Sequence, residues 1–188
     1  MFFQGNNPVH QTMHRLAMKL EEAGIPYALV GGLALNAHGH RCPTDDVNFL
    51  LNQEGYERFL KRLDHEELDP VPDRPRRFID RDNGVPVNLL ITGHYPGPGK
   101  PGPIVYPDPG DVAVIIEDIR VVDLPTLIDL KLAAGRFRDL ADVVELIKIH
   151  DLDENFAERL HPALRRKYLA CLEEKRSEDE HEILEGAE

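Results

Sequence analysis

At 188 residues, with 41% hydrophobic and 30% charged side chains, the chain holds enough apolar matter for one well-buried domain and too much for a disordered one. No apolar run approaches the ~20 residues that cross a bilayer, and the N-terminus lacks a basic region followed by an apolar core, so a cytoplasmic protein with no signal peptide and no membrane partner is expected. A net charge of -12 gives no general attraction for nucleic-acid phosphates, so RNA contact would need a local basic patch.

In chain order, residues 9–22 space Val9, Met13, Leu16, Ala17 and Leu20 on one helical face, with Asn7 as cap, Pro8 at the first position and Gly24 as stop. A strand is expected at 27–30, a helix opening on Gly31-Gly32 and running to about Ala37, and a strand at 47–51. Residues 53–63 read as a helix burying Tyr56, Phe59, Leu60 and Leu63. Strands at 76–80 and 85–91 flank the turn 81–84, whose Asn-Gly pair is a hairpin signal. The Gly- and Pro-dense stretch 92–110 is either a lid or a stiff crossover. A second hairpin is expected from 112–116 and 119–122, then helices at 125–134, 138–150, 155–160 and 162 to about 175. The acidic run 173–188 reads as a solvated helix end fraying into a tail. Strands first and helices last argue for an α+β domain with helices packed against it. Its expected divisions are a core over 1–123, a helical region over 124–175 and an acidic tail over 176–188.

The stretch 27–51 concentrates the chemistry. Gly31 and Gly32 allow close backbone approach, and a helix start exposes free N–H groups, which suits phosphate oxygens. Asp46 and Asn48, two apart at the head of the next strand, emerge on one face while Asp45 points the other way. Asn88, in the otherwise apolar VPVNLLI, is the best third member from a neighbouring strand. Two-metal sites hold ions ~4 Å apart and need several anionic oxygens. Cys42 and Cys171 lie far apart without metal-ligand spacing and are expected to be reduced bystanders, although Cys42 adjoins the site. His38 and His40 flank Gly39 in the site loop and either touch phosphate or lie exposed; they have no ligand set that suits zinc.

The pattern GGLALNAHGHRCPTDDVNFLL resembles the signature of the nucleotidyltransferase superfamily, in which a Gly-Gly or Gly-Ser helix start precedes Asp-x-Asp on a strand and a third Asp lies on a later strand. Gly31 and Gly32 match the helix start, Arg41 and Thr44 the lead-in, and Asp46 the first aspartate, while Asn48 and Asn88 stand at the second and third. LPTLIDLKLAAGRFRDLADVVELI resembles the helical region of abortive-infection-type nucleotidyltransferases, and by that match Lys131 and Asp142 carry over as site residues, with Asp139 the alternative acid. The chain from ~9 to ~170 also resembles a bacterial group of this layout, through TGHYPGPGKPGPI.

The resemblance implies a mixed β-sheet flanked by helices, with a C-terminal helical region over the site. It implies a nucleoside triphosphate held near Gly31, Gly32, Arg41 and Thr44, and Mg2+ on Asp46, Asn48 and Asn88, with Lys131 neutralising phosphate charge. A nucleotidyl group would pass to a hydroxyl of an unidentified acceptor, a tRNA or a protein; the alternative is a silent module with a cognate partner protein, of toxin–antitoxin or phage-defence type. Two amides in place of carboxylates remove two negative charges from the cage, and an amide is no general base. Two readings follow: a one-metal enzyme, or a catalytically silent relative that binds nucleotide, RNA or partner and has lost the metal. Simpler readings stand beside them. Gly31-Gly32 can be a tight turn, Asn48 and Asn88 a paired amide network left from a metal site, and Lys131 a snorkelling surface lysine. The basic clusters Arg74, Arg76, Arg77 and Arg165-Arg166-Lys167 can meet RNA or a partner's acidic surface, with a solvated face as the default.

Overall fold

A computed structural model describes residues 7–62 and 67–185, with side chains as far as Asp179. The first helix, α1 (Pro8–Glu22), starts where expected: Asn7 accepts the His10 N–H at 2.9 Å, and Pro8 occupies the first turn. Met13, Leu16, Ala17 and Leu20 bury one face, and the chain leaves the helix through Gly24 at φ +60°. The strand β1 (Tyr27–Val30) is buried along its whole length, as a strand covered on both faces must be. It runs into α2 (Gly31–Ala37), and β2 (Val47–Leu51) returns antiparallel to β1. Helix α3 (Gln53–Arg62) buries Gly55 and Phe59; Leu60, expected inside, is 43% exposed, and Leu63 lies outside the described residues.

A strand that the sequence reading lacks, β3 (Leu68–Val71), pairs with β4 (Arg74–Asp80) through a turn with Asp73 at φ +59°. Pro70 cannot donate to a ladder, which argues against a strand in sequence but is tolerated at a sheet edge, where β3 lies. The strand β5 (Pro86–Ile91) pairs antiparallel with β4 and parallel with β2. The stretch 92–108 forms no regular element and folds back on itself, with Gly93 N–H donating to Tyr106 O at 2.9 Å and Tyr106 N–H to His94 O at 2.8 Å. A short helical turn, α4 (Pro109–Val112), takes up Val112, and β6 (Ala113–Ile116) and β7 (Ile119–Val122) make the expected hairpin. The sheet is mixed, in the order β3-β4-β5-β2-β1-β7-β6, with β7 parallel to β1.

Helices close the fold. In α5 (Leu124–Ala134) Asp123 caps the Thr126 N–H at 2.8 Å and Gly135, at φ +66°, ends the helix. Then come α6 (Phe137–Ile149), 3₁₀ turns at Glu154–Arg159 and Pro162–Leu164, and α7 (Arg165–Glu185). Helix α7 runs past the expected end near 175, and i,i+4 pairing of Lys175 with Asp179 at 2.6 Å supports the extra turns. No described helix is long and apolar enough to cross a membrane.

One polar network ties α1 to the β4–β5 turn. Asp80, at the end of β4, is wholly buried and accepts from Thr12, from Arg15 and from the Asp82 N–H. Burial pushes its carboxyl up, but Arg15, Thr12 and the Asp82 N–H together hold it below the usual carboxylate range.

Candidate functional site

The parallel register of β2 and β5 sets Asn48 directly against Asn88. Asn88 Nδ2 donates to Asn48 Oδ1 at 3.1 Å and to Asp46 Oδ2 at 3.0 Å, and Asn48 Nδ2 donates to Asp46 Oδ1 at 3.0 Å. Regular pairing begins at Val47, so Asp46 stands one residue ahead of the strand, where the Thr44 hydroxyl also donates to its Oδ1 at 3.3 Å. Each oxygen of the Asp46 carboxylate therefore accepts an amide N–H. All four side chains are half-buried.

The glycine doublet packs against this group. Gly31 has φ +70°, and a Cβ there would lie 2.9 Å from Asn48 Nδ2; a Cβ on Gly32 would lie 2.6 Å from Thr44 Oγ1. The side chains of β2 and its lead-in thus demand glycine at both positions. Asn36, which the sequence reading passed over, pins the following loop: its Nδ2 donates to Gly32 O and Cys42 O at 3.0 Å each, and Cys42 N–H returns to its Oδ1 at 3.1 Å. The available signal was one amide in an otherwise apolar helix, GGLALNA.

A second cluster lies on α5 and α6. Lys131 is 9% exposed, not a surface lysine, and donates to Asp142 Oδ2 at 2.6 Å and Asp139 Oδ1 at 3.2 Å. Arg136 also holds Asp139, at 2.7 and 3.1 Å. Burial pushes the Asp139 carboxyl up, yet Arg136 and Lys131 together hold it below the usual range. Both acids from the sequence reading, Asp139 and Asp142, therefore contact Lys131.

The loop 38–42 joins the two clusters. His40 Nε2 lies 3.2 Å from Asp142 Oδ1 and Cys42 Sγ lies 3.8 Å from Gly32 O, while His38 Nε2 donates to Val122 O at 2.8 Å. Both histidines are half-buried and bonded, so neither is the exposed side chain that loop histidines usually are. Burial pushes the His38 imidazole down, below 6.5, and pushes the Cys42 thiol up, away from thiolate reactivity. Arg41 is exposed on the same loop.

A cleft of 540 Å³ opens at this end of the sheet, lined by Pro8, Thr44, Asp45, Asn83 and Pro86. Of the residues around Asp46, Thr44 and Asp45 line it, while Asp46, Asn48 and Asn88 do not. The chemistry-bearing group, rather than the cleft, marks the candidate site.

The donor set does not fit a cage for two magnesium ions. One carboxylate offsets a small part of their charge, and both its oxygens already accept amide hydrogens. An ionised carboxylate in this position turns amide N–H groups toward itself, the reverse of the orientation in which an amide ligates a cation. The three side chains satisfy one another without a metal.

No protein-family model and no curated protein matches the chain. Among solved structures, it is similar to an antigenic nucleotidyltransferase-like protein from Paracoccidioides brasiliensis, at 15% identity and a TM-score of 0.53 over 89% of this chain and 88% of that one. A putative nucleotidyltransferase from H. pylori aligns over 95% and 96% of the two chains at 19% identity, with a TM-score of 0.49. The likeness to the Paracoccidioides protein establishes the class: the chain has the α+β nucleotidyltransferase-like fold, a mixed seven-stranded sheet flanked by helices.

Proposed function

We propose that the chain is a nucleotide-binding module of nucleotidyltransferase fold that does not carry out nucleotidyl transfer. Its metal cage is replaced by the Asp46–Asn48–Asn88 network. A nucleoside triphosphate docks at the turn after β1, where backbone N–H groups of Gly31 and Gly32, the Thr44 hydroxyl and the Arg41 guanidinium meet its phosphates. Lys131 and Asp142 close the far side of the site, with Lys131 held between two carboxylates and unable to lend its full charge to a phosphate. The observation that carries this reading is that Asn48 Nδ2 and Asn88 Nδ2 each donate to a different oxygen of Asp46. The carboxylate is thereby engaged in the two directions from which a cation would otherwise approach.

Calorimetric titration with ATP, CTP, GTP and UTP, with and without Mg2+, tests the binding half. The expected result is binding of at least one nucleotide, with Asp46→Ala weakening it less than tenfold, because Asp46 holds no metal. A radiolabel-transfer assay with total tRNA and small hydroxyl acceptors tests the silent half, with no transfer expected from the parent chain. Transfer by the parent, abolished by Asp46→Ala, establishes a one-metal enzyme in its place.

A further inference from the structure

The junction of α5 and α6 carries the most exposed large apolar side chain among the described residues, Phe137 at 94%. It sits between Arg136 and Arg138 at the start of α6. A single exposed apolar side chain is ordinary on a protein surface, so this ring points to a ligand only through the charges beside it.

Cations gather around it. Lys167 Nζ approaches Gly135 and donates to Leu132 O at 2.9 Å, so it has a neutral partner and keeps its charge for a ligand. From the sheet side, Arg76 bonds the His94 ring at 2.9 Å, again a partner without negative charge. The loop after β5 carries that pair to the junction, since a Cβ on Gly97 would lie 3.1 Å from Ala134. Burial pushes the Tyr106 hydroxyl up, and the positive charges of Arg136 and Arg76 both act on it in the opposite direction. Among the described residues Arg76, Arg138 and Lys167 form no ion pair. Other cations, among them Arg15, Lys19, Arg81, Arg120 and Lys148, are matched to carboxylates. In a chain of net charge -12, cations without an ion pair beside an exposed ring favour a ligand that carries negative charge.

The patch also borders the candidate site. Arg138 reaches the electrostatic environment of Cys42, whose Sγ lies against Gly32 O. On β4, Arg77 pairs in register with Asn88, beside Arg76.

We infer that the α5–α6 junction is a docking surface for single-stranded nucleic acid. An unpaired base stacks on Phe137, and the flanking phosphates lie on Arg138, Lys167 and Arg76. Stacking on an aromatic ring ringed by cations is how single strands are held without base readout, and a duplex offers no free base face to this ring. The inference deepens the nucleotide-binding reading by assigning the polymer that would run past that site, but its contacts are separate.

Fluorescence anisotropy of the full chain tests it, with labelled single-stranded RNA and DNA of about ten nucleotides at low salt. Saturable binding is expected, with Phe137→Ala weakening it roughly tenfold or more and Arg138→Gln and Lys167→Gln each lowering the salt slope by about one. Ile115→Ala, an exposed apolar change on the distant edge strand β6, leaves binding unaltered. The inference is overturned by absence of saturable binding, by equal affinity of Phe137→Ala, or by a duplex that binds as tightly as the single strand. Competition by polyglutamate without any Phe137 dependence also overturns it, in favour of an acidic protein partner. Arg41→Gln, at the proposed phosphate position of the nucleotide site, serves as the separator: oligonucleotide binding that survives while mononucleotide binding is weakened supports two distinct sites, and parallel loss of both from this one change overturns the separate docking surface.

Discussion

Two aspartates on neighbouring parts of the same sheet are treated in opposite ways. Asp80 is fully buried and accepts from a guanidinium, a hydroxyl and a backbone N–H, all of which fix α1 against the β4–β5 turn. Asp46 is half-buried, and its partners are two neutral amides and a hydroxyl. A carboxylate that holds the fold is matched by charge and sealed from water. A carboxylate of the candidate site is matched by neutral amides and a hydroxyl, each neutral hydrogen bond contributing about 1 kcal/mol net.

The sharpest way to break this contrast is to remove each acid in turn. Asp80→Ala removes the acceptor shared by Arg15, Thr12 and the Asp82 N–H, leaves Arg15 its pairs with Asp82 and Glu67, and is expected to cost about 2–3 kcal/mol in urea unfolding. Asp46→Ala is expected to cost about 1 kcal/mol or less, because Asn48 and Asn88 still bond one another. Equal losses would end the distinction. A smaller effect comes from the glycine doublet: Gly32→Ala drives a methyl into Thr44 and is expected to cost about 1–3 kcal/mol. Gly31→Ala forces a left-handed alanine and is expected to cost about 1–2 kcal/mol, read from the same unfolding curves. If either alanine variant is as stable as the parent, the close packing of turn and strand is wrong.

The smallest effect is on pH dependence. The folded His38 lies below 6.5, so the unfolded chain takes the proton first, and stability falls as pH drops through about 6.5 until the folded imidazole also protonates. Asp80 and Asp139 act in a different window: both sit below 3.8 when folded, so their contribution holds above that value and is lost as pH falls through the folded pKa. His38→Gln, which keeps a donor for Val122 O, should flatten the slope between pH 7 and 5 and leave the strongly acid limb alone. An unchanged slope would mean that His38 is solvated.

The meeting of Asp46, Asn48 and Asn88 was legible because all three sit at fixed offsets in strongly patterned strands, and a polar residue in VPVNLLI must face another polar group. The Asp80 network was not legible, since Thr12 and Asp80 are joined only by the packing of α1 across the sheet. The same holds for His40, whose partner Asp142 lies far along the chain on α6. The strand β3 was hidden by Pro70, and the length of α7 by charged residues that resemble a tail until their i,i+4 pairing is seen. Local pattern revealed elements and same-strand neighbours, whereas long-range polar closure required the fold.

The most direct test of the account is thermal unfolding of the parent and of the Asn48→Asp, Asn88→Asp double variant across a Mg2+ titration. The account predicts that the parent's Tm is indifferent to Mg2+, while the double variant, with three carboxylates crowded together, starts lower and rises as the ion binds. A parent whose Tm climbs with Mg2+ as steeply as the variant's would contradict it.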